Sequence, residues 1–445
     1  MRKISRRSFL QGMGALGLGA AALSIPGCGA KEAAPSAGQS EGQFTGKLNV
    51  LLGSHMDFIE AWAPTYKERY GVEPKIEKVT TQDLRNKLSS TFVARTSPYD
   101  AVFTYPDIIA PFASQGWLAD LSDKVRNSKV LSGEYTLVKE VVEVGKYEGR
   151  IYAIPAHIGC TVMMWNKKLM EDVGLDPEAP ANWHSTKNSF DQFIEYAKKM
   201  TFEKNGTKYY GYIDNWIGES VLFFYISLIQ MHGGTLITED EKPMMNSEAG
   251  VAALEKMVDM LHTHKCIDPA SLTYAWVFDC SPAFLNGTRG IFITWPFMAG
   301  VANTSDESKI KGYVGCAPNF AVETSGSIDS SEFFSIPVFS ENFEEAWRWI
   351  ELITSYEVQK HIGTTTSWLP IYEEVLTDPE VVKNNPYAPV INQAYKYPAA
   401  NYRTKNFSRW ANILANSIHE ALDRKVKPKD ALNDAAKKIE EALKQ

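Results

Sequence analysis

Lys47-Leu48-Asn49-Val50-Leu51-Leu52-Gly53-Ser54-His55 is an apolar run of strand length that stops at a glycine and a small polar pair. A helical pattern follows at once: Phe58, Trp62, Tyr66 and Tyr70 recur at i+4 steps, predict one buried aromatic stripe and close at Gly71. Lys75 to Val79 reads as a second strand, Thr81 to Val93 as a helix, and Tyr99-Asp100-Ala101-Val102-Phe103-Thr104 as a third strand. This alternation predicts an α/β fold, a mostly parallel sheet covered by helices. Ligand sites in such sheets lie outside the carboxyl ends of the strands. The loops Gly53-Ser54-His55 and Tyr105-Pro106-Asp107 therefore fall on the edge where a site is expected.

Further along, Tyr147 to Ile154 reads as a turn feeding a strand that Pro155 ends. Met163-Met164-Trp165-Asn166 leads into a helix stopped by Gly174, and Ser189-Phe190-Asp191-Gln192 reads as a capping box for a helix running through Met200. Ser247 caps a helix whose Val251, Leu254, Val258 and Leu261 share a face. Phe343, Ala346, Trp347, Ile350 and Ile353 mark another amphipathic helix, as do Trp410, Ile413, Leu414, Ile418 and Leu422. The C-terminal half is mainly helical. About 400 folded residues exceed one ordinary core, so two lobes are expected.

Upstream, Ser5-Arg6-Arg7-Ser8-Phe9-Leu10 precedes an uncharged Gly-, Ala-, Leu- and Met-rich stretch that ends in Ser24-Ile25-Pro26-Gly27-Cys28. This is the charged, apolar and small-residue layout of an export signal. Arg6 and Arg7 resemble a twin-arginine signal, the alternative being an ordinary secretory signal. Cys28 after Gly27 resembles a lipobox, although Pro26 departs from the usual small residue. A diacylglyceryl thioether there holds a chain on a membrane surface, at about 0.8 kcal/mol per buried methylene. Residues 28–45 read as a flexible tether. Removing residues 1–27 takes Arg2, Lys3, Arg6 and Arg7 and no acid, moving the formal charge from -7 to -11. An acidic chain without a clustered basic stretch is a poor nucleic-acid binder. Besides Cys28, Cys160, Cys266, Cys280 and Cys316 leave one or two disulfides possible, with no pairing assignable from spacing. His262-x-His264-x-Cys266 sits near a helix end, where the three groups do not readily share one tetrahedral site, so no metal is expected. No cofactor is expected either, and no hydrolase, zincin or phosphate-loop motif is present.

Several segments resemble, in order and spacing, the family 1 extracellular solute-binding proteins, the group that includes maltose-binding proteins of ABC importers. They are Tyr99-Asp100-Ala101-Val102 with Gly116-Trp117-Leu118-Ala119-Asp120-Leu121, and Tyr152-Ala153-Ile154-Pro155 with Trp165-Asn166-Lys167-Lys168-Leu169. Phe284-Leu285-Asn286-Gly287-Thr288-Arg289-Gly290-Ile291 and Trp368-Leu369-Pro370 complete the set. The resemblance implies a two-lobed periplasmic-binding-protein-like (type II) fold with several hinge crossings, near 153–159, 290–296 and 340, around an interlobe ligand cleft. It implies an N-terminal lobe of 46–155 with 290–340 and a C-terminal lobe of 156–289 with 341–445. It further implies an exported monomer, in the periplasm or on the outer face of the cytoplasmic membrane. Such a protein captures a carbohydrate and delivers it to the permease subunits of an ABC importer, without chemistry of its own. The alternatives are a charged solute, such as glycerol phosphate or a polyamine, and a secreted enzyme.

Sugar recognition needs aromatic faces for C–H surfaces and planar polar groups for hydroxyls. Trp62, Trp347, Trp349 and Trp410 lie in expected helices and are assigned to packing. Trp216, Trp276, Trp295 and Trp368 lie at strand ends or loops, where each either touches ligand or packs a lobe or hinge. His55 and His157 follow strands of the first lobe and face the cleft or are ordinary loop histidines. Tyr105 and Asp107 hold the matching loop, with Asp107 otherwise a helix N-cap. Glu332 accepts hydroxyl hydrogen bonds or pairs with a base, and Arg403 reaches ligand or forms a surface ion pair.

Overall fold

A computed structural model of the chain describes residues 44–238, 240–400 and 404–444. Cys28, Arg6, Arg7 and Arg403, and with them the export signal and residues 28–43 of the tether, lie outside the described residues.

Two five-stranded sheets organise the molecule. The first runs Lys75–Val79, Asn49–Gly53, Ala101–Thr104, Glu332–Ser335, Ile154–His157. Its first three members pair in parallel, and Glu332–Ser335 runs antiparallel between Ala101–Thr104 and Ile154–His157. Asn49–Gly53 and Ala101–Thr104 are buried almost throughout, as strands covered on both faces must be. The second sheet runs Val314–Ala317, Val162–Asn166, Arg289–Thr294, Thr207–Ile213, Phe202–Lys204, with Arg289–Thr294 and Thr207–Ile213 in parallel.

Several expectations are corrected. Strands Arg289–Thr294 and Val314–Ala317 belong to the second sheet, so 290–317 is not part of the N-terminal lobe. Helix Phe343–Ile353 buries Ala346, Trp347, Trp349 and Ile350 in the first lobe's core, so 341–365 is not C-terminal lobe. The aromatic stripe breaks into helices Asp57–Glu60 and Ala63–Tyr70, because Pro64 has no N–H to bond to Glu60. Phe58 and Tyr66 are buried while Tyr70 is exposed. Pro155 does not end its strand: Ile154–His157 is an edge strand, where a missing N–H is tolerated. The capping box at Ser189 is absent. Asn188 precedes helix Ser189–Lys199 in a left-handed conformation, and the Ser189 hydroxyl donates to the Trp183 carbonyl and accepts the Ala321 N–H. Ser247 does cap helix Glu248–His262, accepting from the Gly250 N–H.

The chain passes between the lobes three times, and the crossings are tied by backbone. Residues 158–161 link Ile154–His157 to Val162–Asn166, residues 328–331 lead into Glu332–Ser335, and a third passage follows Thr365. Ile158 bridges to Leu369, and Cys160 to Asp329. The buried Tyr395 hydroxyl donates to the Gly159 carbonyl (2.9 Å) and Asp329 (2.8 Å) and lies 3.1 Å from Ser331 Oγ. Only the first passage lies near an expected position; 290–296 is strand and 340 is already inside the first lobe. Behind the crossings a shared apolar cluster joins Ile109 and Val141 of the first lobe to Met164 and Phe292 of the second.

The four described cysteines carry free thiols, Cys160, Cys266 and Cys280 buried. His262 is bonded to the Leu422 carbonyl and the Cys266 thiol lies against the Met260 carbonyl. No helix among the described residues is long and apolar enough to cross a membrane.

Candidate functional site

Antiparallel insertion of Glu332–Ser335 puts its first residue at the edge where the neighbouring strands end. Glu332 is in register with His157, the last residue of Ile154–His157, and Phe333 with Thr104. His55, two residues beyond Asn49–Gly53, reaches the same point. Its Nε2 lies 2.8 and 3.0 Å from the two Glu332 carboxylate oxygens, and His157 Nε2 lies 2.6 Å from Oε2. One carboxylate is thus held between two imidazoles. Burial alone would raise the Glu332 carboxyl, but the charge of His157 and hydrogen bonds from both histidines outweigh it and hold it down to about 2. Burial would lower His55, yet the Glu332 hydrogen bond and the charges of Glu332 and Asp57 prevail and raise it.

Trp368 arrives from the third passage and completes this edge. Its ring centre lies 4.6 Å from His157, 5.5 Å from His55 and 5.5 Å from Phe297, and it stacks on Phe58 at 5.0 Å. Four of the expected residues, His55, His157, Glu332 and Trp368, therefore meet in one cluster, joined by Phe58, Phe103 and Phe297. The sequence reading has Phe58 in a helical stripe and Phe103 in a strand, both as packing residues, and passes over Phe297, two residues after Trp295.

Tyr105 and Asp107 form a separate group. Tyr105 precedes helix Pro106–Ser114, and Asp107 sits in its first turn instead of capping it. Asp107 pairs with Arg85 of helix Thr81–Val93, and Arg85 also lies over Phe407, 5.6 Å from the ring centre. Phe407 opens a helix packed in the second lobe. Burial and the nearby Asp107 raise the Tyr105 phenol.

On the second lobe, Trp295 follows strand Arg289–Thr294 and Trp276 precedes helix Val277–Leu285. Both are half-buried, their ring centres 6.4 Å apart, with Phe223 5.6 Å from Trp295. Trp216 is 0% exposed and stacks on Phe224, so it offers no face to a ligand: here the expectation is corrected to core packing. The polar group at that strand end is Asp214, pushed up to about 6 by burial and bonded by the Tyr212 hydroxyl and Asn215 N–H. No group of His, Cys, Asp and Glu that could hold a metal ion occurs among the described residues.

Two sheets joined by three tied crossings, each ending in aromatic and polar groups, define a two-lobed binding protein. Residues 52–360 match the bacterial extracellular solute-binding proteins, and the chain belongs to this family of solute-binding transport proteins. A probable amino-acid ABC transporter periplasmic-binding protein of Sinorhizobium fredii is 22% identical over 99% of this chain and 98% of its own length. The maltotriose-binding protein of Pyrococcus abyssi is 23% identical over 80% of this chain and 73% of its own. A maltooligosaccharide ABC transporter solute-binding lipoprotein of Streptococcus pneumoniae is 20% identical over 96% and 95%. Among solved structures, maltose-bound T. maritima MalE3 superimposes with a TM-score of 0.76 at 23% identity, covering 88% of this chain and 99% of that one. A tagatose-bound solute-binding protein of Thermotoga lettingae gives 0.78 at 20% identity, covering 89% and 99%.

Proposed function

We propose that this protein captures a neutral carbohydrate between its lobes and delivers it to the membrane subunits of an ABC importer. Export through Arg6, Arg7 and the following apolar stretch, lipid anchorage through Cys28 and action as a monomer belong to the same reading. The observation that carries it is the Trp368 ring set beside the His55–Glu332–His157 group. An aromatic face suits the C–H side of a sugar ring, and a carboxylate with spare lone pairs suits its hydroxyls. The Trp276–Trp295 pair supplies aromatic surface on the other lobe.

Charge argues against the alternatives. Among the described residues of these groups Arg85 is the one lysine or arginine, and Asp107 already pairs it, which leaves a phosphate ester poorly served. Glu332 is a single carboxylate already facing two imidazoles, which is not the box of carboxylates that a polyamine requires. Relatives named for maltotriose and maltooligosaccharide support a sugar, while the relative named for amino acids makes that class the competitor to test.

A thermal-shift screen of the purified protein should include mono- and oligosaccharides, amino acids, glycerol phosphate and spermidine. A sugar at 100 times its dissociation constant stabilises by about 2.7 kcal/mol. Trp368→Ala should weaken that sugar at least tenfold, about 1.4 kcal/mol. A shift from an amino acid or a charged solute with silence from every sugar would overturn the reading. Cys28→Ser should release the protein from the membrane fraction; retention would refute the anchor.

A further inference from the structure

His55, Glu332 and His157 share hydrogen bonds but differ in access: their side chains are 30%, 14% and 4% exposed. His55 is thus the member a ligand on Trp368 would cover. Its ring lies directly against Gly53, where a Cβ would stand 2.7 Å from His55 Cε1, 3.1 Å from Nδ1 and 3.2 Å from Phe103 Cε1. The missing side chain at the strand end is what lets the imidazole sit edge-on to Phe103 and tilted against Trp368 with Nε2 on Glu332.

Among the described residues, three titratable groups face this ring. Glu332 enters from its strand, His157 from the neighbouring strand behind the same carboxylate, and Asp57 from helix Asp57–Glu60, itself paired with Lys78. His55 therefore has a stable protonated form, neutralised by Glu332 and hydrated through its exposed edge. A neutral ring laid on Trp368 removes that hydration without supplying charge, which disfavours the imidazolium.

Resting on the carbohydrate reading above, we propose that His55 is a proton-linked ligand contact, with Gly53 its positioning residue: the sugar binds the neutral imidazole, and capture on the acid side of its titration expels a proton. By linkage, affinity falls as the medium becomes more acidic, by at most about tenfold per pH unit for one proton.

The test has two arms. Without ligand, the His55 ring protons followed by NMR should titrate above the ordinary histidine value in the unaltered protein, and shift back toward it in Gly53→Ala while the histidines that do not touch Glu332 hold. An unmoved His55 in Gly53→Ala would remove the positioning role. With ligand, calorimetry uses maltose, maltotriose and D-tagatose at pH 7.5 and 5.5. The sugar that binds should lose roughly tenfold in affinity at the lower pH and release a proton, seen as a buffer-dependent heat. His55→Gln, which keeps an amide donor near Glu332, should bind with less than about a twofold pH effect. Equal affinity at both pH values, or tighter binding at pH 5.5, sinks this inference and leaves the carbohydrate reading standing. Failure of all three sugars at both pH values moves this arm to the sugar that stabilises the protein in the thermal-shift screen, and silence from every sugar there removes it together with that reading, while Gly53 is still judged by NMR.

Discussion

At the scale of single residues, Glu332 concentrates the most chemistry. Its carboxyl, about 2 in the folded chain against an ordinary value near 4.5, makes a contribution to stability that is full above the unfolded value. That contribution, about 3 kcal/mol from the size of the shift, is lost as pH falls from 4.5 through 2. Glu332→Gln should flatten this acid limb and lower stability at pH 7 by about 1–3 kcal/mol, measured by urea unfolding at pH 7 and 3. An unchanged acid limb would show that another carboxyl carries it. The sequence placed His55 and His157 near one edge because strand ends are legible from where apolar runs stop, whereas Glu332 was a candidate only through the family resemblance. It could not show that all three converge on one carboxylate, since that depends on which strands become neighbours. Trp216 failed for a related reason: at a strand end, a ring turned toward the cleft and one turned under the next helix leave the same local pattern.

At the scale of elements, strands and helices were legible and their membership was not. Arg289–Thr294 and Glu332–Ser335 are both buried strands, and nothing in either run says which sheet it joins. Helix Ser189–Lys199 lies on strand Thr207–Ile213 so closely that a Cβ on Gly211 would stand 1.9 Å from the Ala197 carbonyl oxygen. Backbone cannot yield as a flexible side chain does. Gly211→Ala should therefore cost at least about 3 kcal/mol or abolish folding, read from the urea midpoint and soluble yield. A midpoint within experimental error of the parent would mean the helix can slide.

For the whole molecule, a ligand favours the closed arrangement only through contacts it makes with both lobes. Trp276→Ala on the second lobe should weaken sugar binding about tenfold, as Trp368→Ala does on the first, with the melting temperature of the free protein nearly unchanged. Trp216→Ala should behave oppositely, lowering stability by about 3–5 kcal/mol because it empties a buried site. Calorimetry beside thermal melts separates the two outcomes. Two lobes followed from length, and their identity from scattered short motifs. The exchange of segments between them escaped because lobe membership is a long-range property. That exchange also governs how the protein comes into being. When residue 157 leaves the ribosome, the first sheet has a vacant lane between Ala101–Thr104 and Ile154–His157, and its occupant is made some 175 residues later. The nascent chain carries two unpartnered strand edges while those residues are made, and such late, distant pairing makes folding slow. The carboxylate at the binding edge arrives with that last strand, so a copy that stops before residue 332 lacks it.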